Sequence, residues 1–309
     1  MYRRITEILI SIIFFLLIAT YIATGWMVPS TIERPISAAI LATVILLTCS
    51  FLLYFLHRRI LSGAGMAAAI FFLLLAGAAP KAFWFTPFHG TVLLMAMTLY
   101  FHICFHAVRP SLEYLSLQWI ALGSASLITP SLLWLVPVLT LSSVGMAKDK
   151  WKFWFTLLLA LLFPFAVFIG IRYMNGGGAS IAAYLTDLWS GMKTLHLPSF
   201  NLPVITLFRI MMTIVFTTIA IFRIASRLST YKTAHYHAFI HLIILAICIS
   251  VLAVLFMSDP ATPSGMLVTL PIAPLLGECF TNSRNKMSCR LMLVILALIL
   301  IAERIAYFV

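Results

Sequence analysis

Arg209 lies about two turns into the apolar run Pro203–Phe222. A guanidinium in hydrocarbon costs roughly 2.5–3.5 kcal/mol unless it is paired, hydrated or snorkelling to the interface. Its planar fork binds a phosphate, pyrophosphate or carboxylate bidentately, which makes Arg209 a candidate anion site in a cavity opening on the outer side. The plainer reading is an arginine that snorkels or pairs with one acid. Carboxylates that could work beside it are Glu33, in the short rigid segment Pro29-Ser30-Thr31-Ile32-Glu33-Arg34-Pro35, then Asp187 and Asp259. A carboxylate held at a membrane face near a cation can act as a general base on a sugar hydroxyl. For Glu33 alone, a solvated loop charge paired with Arg34 is the simpler account.

Histidines form a second group. His102 and His106 are four residues apart, and so are His237 and His241, with His235 adjacent and His57 elsewhere. On a helix this spacing puts two imidazoles on one face, a geometry metals use. Two such pairs at similar depth could build a metal centre. No HExxH and no His-His doublet accompanies them, and histidines beside Arg and Lys at an interface are ordinary. The expectation from sequence is therefore no metal and no cofactor.

The elements that position these residues follow from composition. The chain has 309 residues, 63% hydrophobic and 9% charged, with mean hydropathy +1.11. A water-soluble domain of this size could not hide so much apolar surface. Lipid could, provided every backbone polar group is satisfied internally, by helices or a closed barrel. The runs are near-continuous over roughly 17–24 residues, which fits helices rather than ~10-residue alternating strands. The fold class is thus all-α, one polytopic transmembrane bundle over residues 1–309.

Eleven spans are expected: Ile5–Val28, Ile36–Leu56, Ala64–Ala79, Thr91–Val108, Leu112–Thr129, Ser131–Met146, Phe153–Ile171, Pro203–Phe222, Tyr236–Met257, Met266–Phe280 and Leu291–Phe308. Arg3 and Arg4 before the first imitate a signal peptide, but that run is too long for a normal apolar region of one and reads as an uncleaved helix. The fifth and sixth form a short hairpin broken at Thr129-Pro130 and need not cross fully. With the N-terminus inside, the cytoplasmic side carries Arg3, Arg4, Arg58, Arg59, Arg109, Lys148, Lys150, Lys152, Arg223, Arg227, Lys232, Arg284, Lys286 and Arg290, fourteen of twenty cations. The outer side carries Arg34, Lys81, Arg172, Lys193 and Arg304. This asymmetry predicts a cytoplasmic N-terminus in an inner membrane and accounts for the net charge of +12 without nucleic acid. None of the five cysteines falls in an expected outer loop, so no disulfide is expected.

The longest connection, residues 172–202, begins with the flexible run Asn175-Gly176-Gly177-Gly178. It then places Ile181, Leu185, Leu188, Met192 and Leu195 at helical spacing, an amphipathic helix for the outer leaflet. A lid over an outward cavity and a plain surface helix are both compatible with it. Gly63-Ala64-Gly65-Met66-Ala67-Ala68 imitates a dinucleotide fingerprint, but no strand precedes it.

Three features carry a resemblance: the acidic first loop around Glu33, the hairpin Leu127–Pro137 running into Lys148-Asp149-Lys150, and Leu270-Pro271-Ile272-Ala273-Pro274-Leu275-Leu276 before a basic turn. Together they resemble an uncharacterised family of multi-pass bacterial membrane proteins of similar length. More distantly they are similar to the membrane half of GT-C-type glycosyltransferases and oligosaccharide polymerases. That resemblance implies Glu33 as the acid serving the acceptor and Arg209 as a phosphate contact on a polyprenyl-phosphate donor. Arg172 or Lys193 would assist, and Asp259 would be a second acid. The expected function is handling of a lipid-linked sugar in envelope glycan assembly at the outer face, with membrane lipid and other membrane proteins as partners. The alternatives are a non-catalytic subunit of an envelope complex, or a transporter or flippase.

Overall fold

The computed structural model describes residues 36–58, 65–77, 82, 85–108, 110–147, 149–193, 204–227, 233–256 and 264–281, with isolated positions between 294 and 302. The first expected span, Glu33 and Asp259 lie outside the described residues. Among those residues every element is helical. They are α1 (Ile36–Leu56), α2 (Gly65–Gly77), α3 (Pro87–Ala107), α4 (Leu112–Ile128), a 3-10 turn (Pro130–Trp134), α5 (Leu135–Val144), α6 (Lys150–Lys193), α7 (Val204–Ala225), α8 (Thr233–Phe256) and α9 (Ser264–Thr281).

Among the described residues, five helices are long and apolar enough to cross a membrane: Ser37–Leu56, Pro87–Ala107, Lys150–Asn175, Val204–Ala225 and His235–Phe256. At 1.5 Å per residue α3, with 21 residues, extends about 31 Å, the thickness of a bilayer's hydrocarbon core. The α2 and α5 helices and the described α9 are shorter. In α2, with 13 residues, eleven are buried, among them Phe71 and Phe72. It is a core element of the bundle. The α9 helix packs against α1, α2, α3, α7 and α8 and so lies at the centre of the described bundle.

Small residues set the closest approaches. A Cβ added to Gly277 of α9 would sit 2.8 Å from the Ala68 backbone nitrogen and 3.0 Å from its Cα on α2. One added to Gly123 of α4 would sit 2.7 Å from the Leu161 carbonyl oxygen on α6. In lipid no hydrophobic force drives helices together, so dispersion between closely packed backbones must.

The α3 helix starts with Pro87 at its first position, where a missing N–H removes nothing from the helix. His89 closes this end. Its Nδ1 accepts from the Thr86 N–H at 3.2 Å, and its Nε2 donates to the Ala82 carbonyl at 2.7 Å. Both ring nitrogens are therefore occupied by structure. Downstream, the hairpin breaks at Thr129-Pro130 as the sequence indicates, with the Thr129 hydroxyl 3.0 Å from that of Thr91. The five-residue 3-10 turn and the ten-residue α5 together extend about 25 Å, short of a hydrocarbon core.

The connection after residue 171 differs from the flexible run expected. Helix α6 continues through Asn175, and Gly177 alone departs from helical geometry, at φ 64°. In that left-handed conformation only glycine is unstrained. Beyond it the chain turns back: the Phe168 and Tyr184 rings lie 4.7 Å apart, whereas sixteen residues of straight helix would separate them by about 24 Å. The returning arm reaches the hairpin, where the Trp134 indole N–H donates to the Met192 carbonyl at 3.3 Å. The glycines thus form one sharp corner between two helical arms. On the first arm Phe153, Leu157, Ala160 and Pro164 are buried, while Leu158, Leu159, Leu162 and Phe163 are each more than half exposed. The buried positions recur every three or four residues, a narrow seam along one side.

His57, just past the end of α1, faces Glu278 of α9 at 3.6 Å, with both side chains buried. Burial pushes the imidazole down, against a smaller opposing pull from the Glu278 carboxylate.

Candidate metal centre

The strongest concentration of chemistry among the described residues is at the end of α3. His102 and His106 share one face of that helix because they are one turn apart. The α8 helix packs against α3 and brings His241 up to both rings, closest to His106. The rings of His106 and His241 stack with centroids 3.6 Å apart, and the His102 ring stands 4.5 Å from His106 and 5.2 Å from His241, nearly edge-on to the latter. One ligand atom from each residue lies within 4.8 Å of the others. All three side chains are buried, with exposures of 1%, 4% and 9%.

Three imidazole nitrogens bound to one ion at 2.0–2.1 Å stand about 3.4 Å apart in a tetrahedral arrangement. Closing from the observed spread requires at most ~1.4 Å. The neighbours of the rings are neutral. His102 Nδ1 lies 3.3 Å from the Oε1 of Gln118, a fully buried residue of α4. With the amide oxygen accepting, Nδ1 carries the proton and Nε2 keeps its lone pair. An outer hydrogen bond of this kind fixes the tautomer of metal-ligating histidines. The other two rings differ. His106 Nδ1 is 2.9 Å from the Met146 sulfur and its Nε2 is 3.5 Å from the Ser143 hydroxyl. His241 Nδ1 is buried with no hydrogen-bond partner among the described residues. Leaving a buried polar atom unsatisfied costs ~1–3 kcal/mol, and binding an ion through it removes that penalty. His89, by contrast, has both nitrogens engaged and is structural.

The structure thus joins the His102/His106 pair to one member of the second pair. His237 is only partly buried and lies outside the cluster. The other described candidates lie on α6 and α7. Arg209 is buried in α7, 8% exposed, one turn from the equally buried Thr206. The Arg172 guanidinium sits 5.4 Å over the Phe168 ring and the Lys193 ammonium 4.4 Å over the Trp189 ring, each on the α6 arm that carries it. The described contacts of these two cations are with aromatic faces rather than with Arg209. Gln118, Ser143 and Met146 were not singled out by the sequence. The one glutamine of the chain, placed inside an apolar run, was a legible signal for Gln118. One methionine among fourteen carries no such signal.

No protein family model matches this chain, and no characterised protein or solved structure shows a significant similarity to it. The functional reading therefore stands on the site.

Proposed function

We propose that this chain is a multi-pass inner-membrane protein that binds a transition-metal ion inside its helix bundle through His102, His106 and His241. The observation that carries this reading is the convergence of three buried imidazoles from two helices, one with a ring nitrogen unsatisfied by the described residues. Imidazole suits zinc, copper, iron and nickel, and three protein ligands leave a coordination position open. The donors are neutral and their hydrogen-bonding neighbours are an amide, a hydroxyl and a thioether. Such a site is better suited to holding or relaying a metal ion or an electron than to hydrolysis, which needs a water path and a base. Metal analysis of the protein purified in detergent tests it, with about one ion per chain expected. Protein that takes up neither copper nor zinc under anaerobic, reducing conditions would sink the reading.

The orientation that goes with it is eleven spans with a cytoplasmic N-terminus, supported by the excess of Lys and Arg on one set of loops. It places the histidines in the cytoplasmic half. A cysteine introduced at Lys150 should react with an impermeant maleimide only in inverted vesicles. Reaction in intact spheroplasts would reverse the topology.

Arg209 supports a second reading, GT-C-like handling of a polyprenyl-phosphate-linked sugar at the outer face. A guanidinium buried in an apolar helix is suited to clamping a phosphate there. Arg209→Lys, which keeps the charge but loses the fork, should then weaken binding of a polyprenyl phosphate in detergent about tenfold or more. Equal binding by the variant and the parent protein removes this reading.

A further inference from the structure

The three histidines leave one coordination position to be filled, and the chain supplies a fourth donor. Met146 follows the end of α5, and its sulfur lies 2.9 Å from His106 Nδ1. That separation is typical of N–H···O contacts, and sulfur is the larger atom, so the contact is tight for a neutral N–H···S hydrogen bond. Around a shared ion, with metal–nitrogen near 2.0 Å and metal–sulfur near 2.3 Å, the two atoms stand about 3.5 Å apart. A relaxation of ~0.6 Å converts the observed contact into an N–metal–S corner.

We propose that Met146 is the fourth ligand and that the site takes cuprous copper in preference to zinc, an inference that rests on the tri-histidine metal reading above. Two properties of the donor set favour this metal. The first is donor softness. A thioether is uncharged and polarisable and selects Cu(I), whereas zinc takes imidazole, thiolate and carboxylate. The second is charge. The clustered ligands are three imidazoles, with no carboxylate among them. A bound ion therefore keeps its full charge within an apolar bundle. Born desolvation scales with the square of charge, so a monovalent ion incurs about a quarter of the divalent penalty. Cu(I) also has no strong geometric demand, which suits a trigonal N3 set with a sulfur above it.

The location puts the thioether on the less buried side of the site. Met146 is half-buried, while His102 and His106 are enclosed. The thioether is thus the outermost donor, where an arriving ion meets the site first, and the histidines complete the set behind it. The Ser143 hydroxyl, one turn back on α5 and 3.5 Å from His106 Nε2, can hold that ring in place.

The test compares the parent protein, Met146→Leu and His241→Ala in detergent, each titrated anaerobically with Cu(I) against a competing chelator and separately with Zn(II). Leucine nearly conserves the volume of methionine, so the fold should tolerate it. Met146→Leu should weaken Cu(I) binding at least about tenfold and change Zn(II) binding less than about threefold. X-ray absorption of the Cu(I)-loaded parent should show sulfur near 2.3 Å, and this scatterer should vanish in Met146→Leu. Unchanged Cu(I) affinity in Met146→Leu, or loaded parent without a sulfur scatterer, overturns the Met146 assignment while the tri-histidine site stands. Tighter zinc than copper overturns the metal preference. A parent protein that binds neither ion, or His241→Ala that binds as well as the parent, overturns the underlying metal reading instead. Should Met146→Leu fail to fold, the sulfur scatterer in the parent decides alone.

Discussion

His241→Ala should leave the purified protein folded and remove its metal, lowering apparent affinity by well over about 100-fold. Outer-shell substitutions already reduce metal affinity ~10–100-fold, and losing one of three imidazoles is more severe. His241 is the informative choice because it alone of the three comes from α8, so the site cannot form without the α3–α8 contact. The cavity left by alanine is lined by His106 and His102, and free imidazole added to the sample can occupy it. Partial recovery of metal binding with millimolar imidazole would distinguish a lost ligand from a lost fold. A variant that keeps its metal at parental affinity would show that the three rings pack together for structural reasons only.

Gly277→Leu should have the largest effect on assembly, lowering stability by more than about 3 kcal/mol. Overpacking a filled core costs ~1–3 kcal/mol when side chains can adjust, and here the obstacle is backbone. The first atom of any side chain at Gly277 would meet the Ala68 nitrogen at 2.8 Å, so α2 and α9 would have to separate. Even Gly277→Ala should lower the detergent melting temperature clearly. Ala68→Gly should not rescue it, because it removes only the 3.2 Å contact with the Ala68 Cβ and leaves those with the backbone. Melting of Gly277→Ala at the parental temperature would mean that these helices can part without loss.

Much of the architecture was legible in the residues themselves, because apolar runs of bilayer length admit few folds. The break at Thr129-Pro130 was readable since proline has no N–H to continue a helix. The corner after Asn175 was half legible. Glycines signal permissive backbone, but only the later contact of Tyr184 with Phe168 makes that freedom a single turn rather than a loose loop. The site shows the same division. Spacing alone put His102 beside His106. It also put His237 beside His241, but which face of α8 turns inward depends on packing against α3, and that rotation admits one ring and leaves the other partly outside. Gln118 and Met146 come from α4 and the end of α5, so their meeting with the histidines is a property of the assembled bundle. Of the cations suggested by resemblance, Arg172 and Lys193 rest against aromatic rings and Arg209 is buried in α7, positions that depend on the packing of α6 and α7 and that residue type alone does not give.

Phe153, Leu157, Ala160 and Pro164 are the buried seam of the first arm of α6, and Leu158, Leu159, Leu162 and Phe163 face outward. On the outward side any aliphatic residue serves as well as another, so selection there acts on oiliness rather than on identity. Substitutions can accumulate at those positions until two descendants of one ancestor share a shape and hardly a letter. For chains built this way, kinship would be recognised sooner from the seam, the backbone-touching glycines and the three histidines than from alignment of the whole.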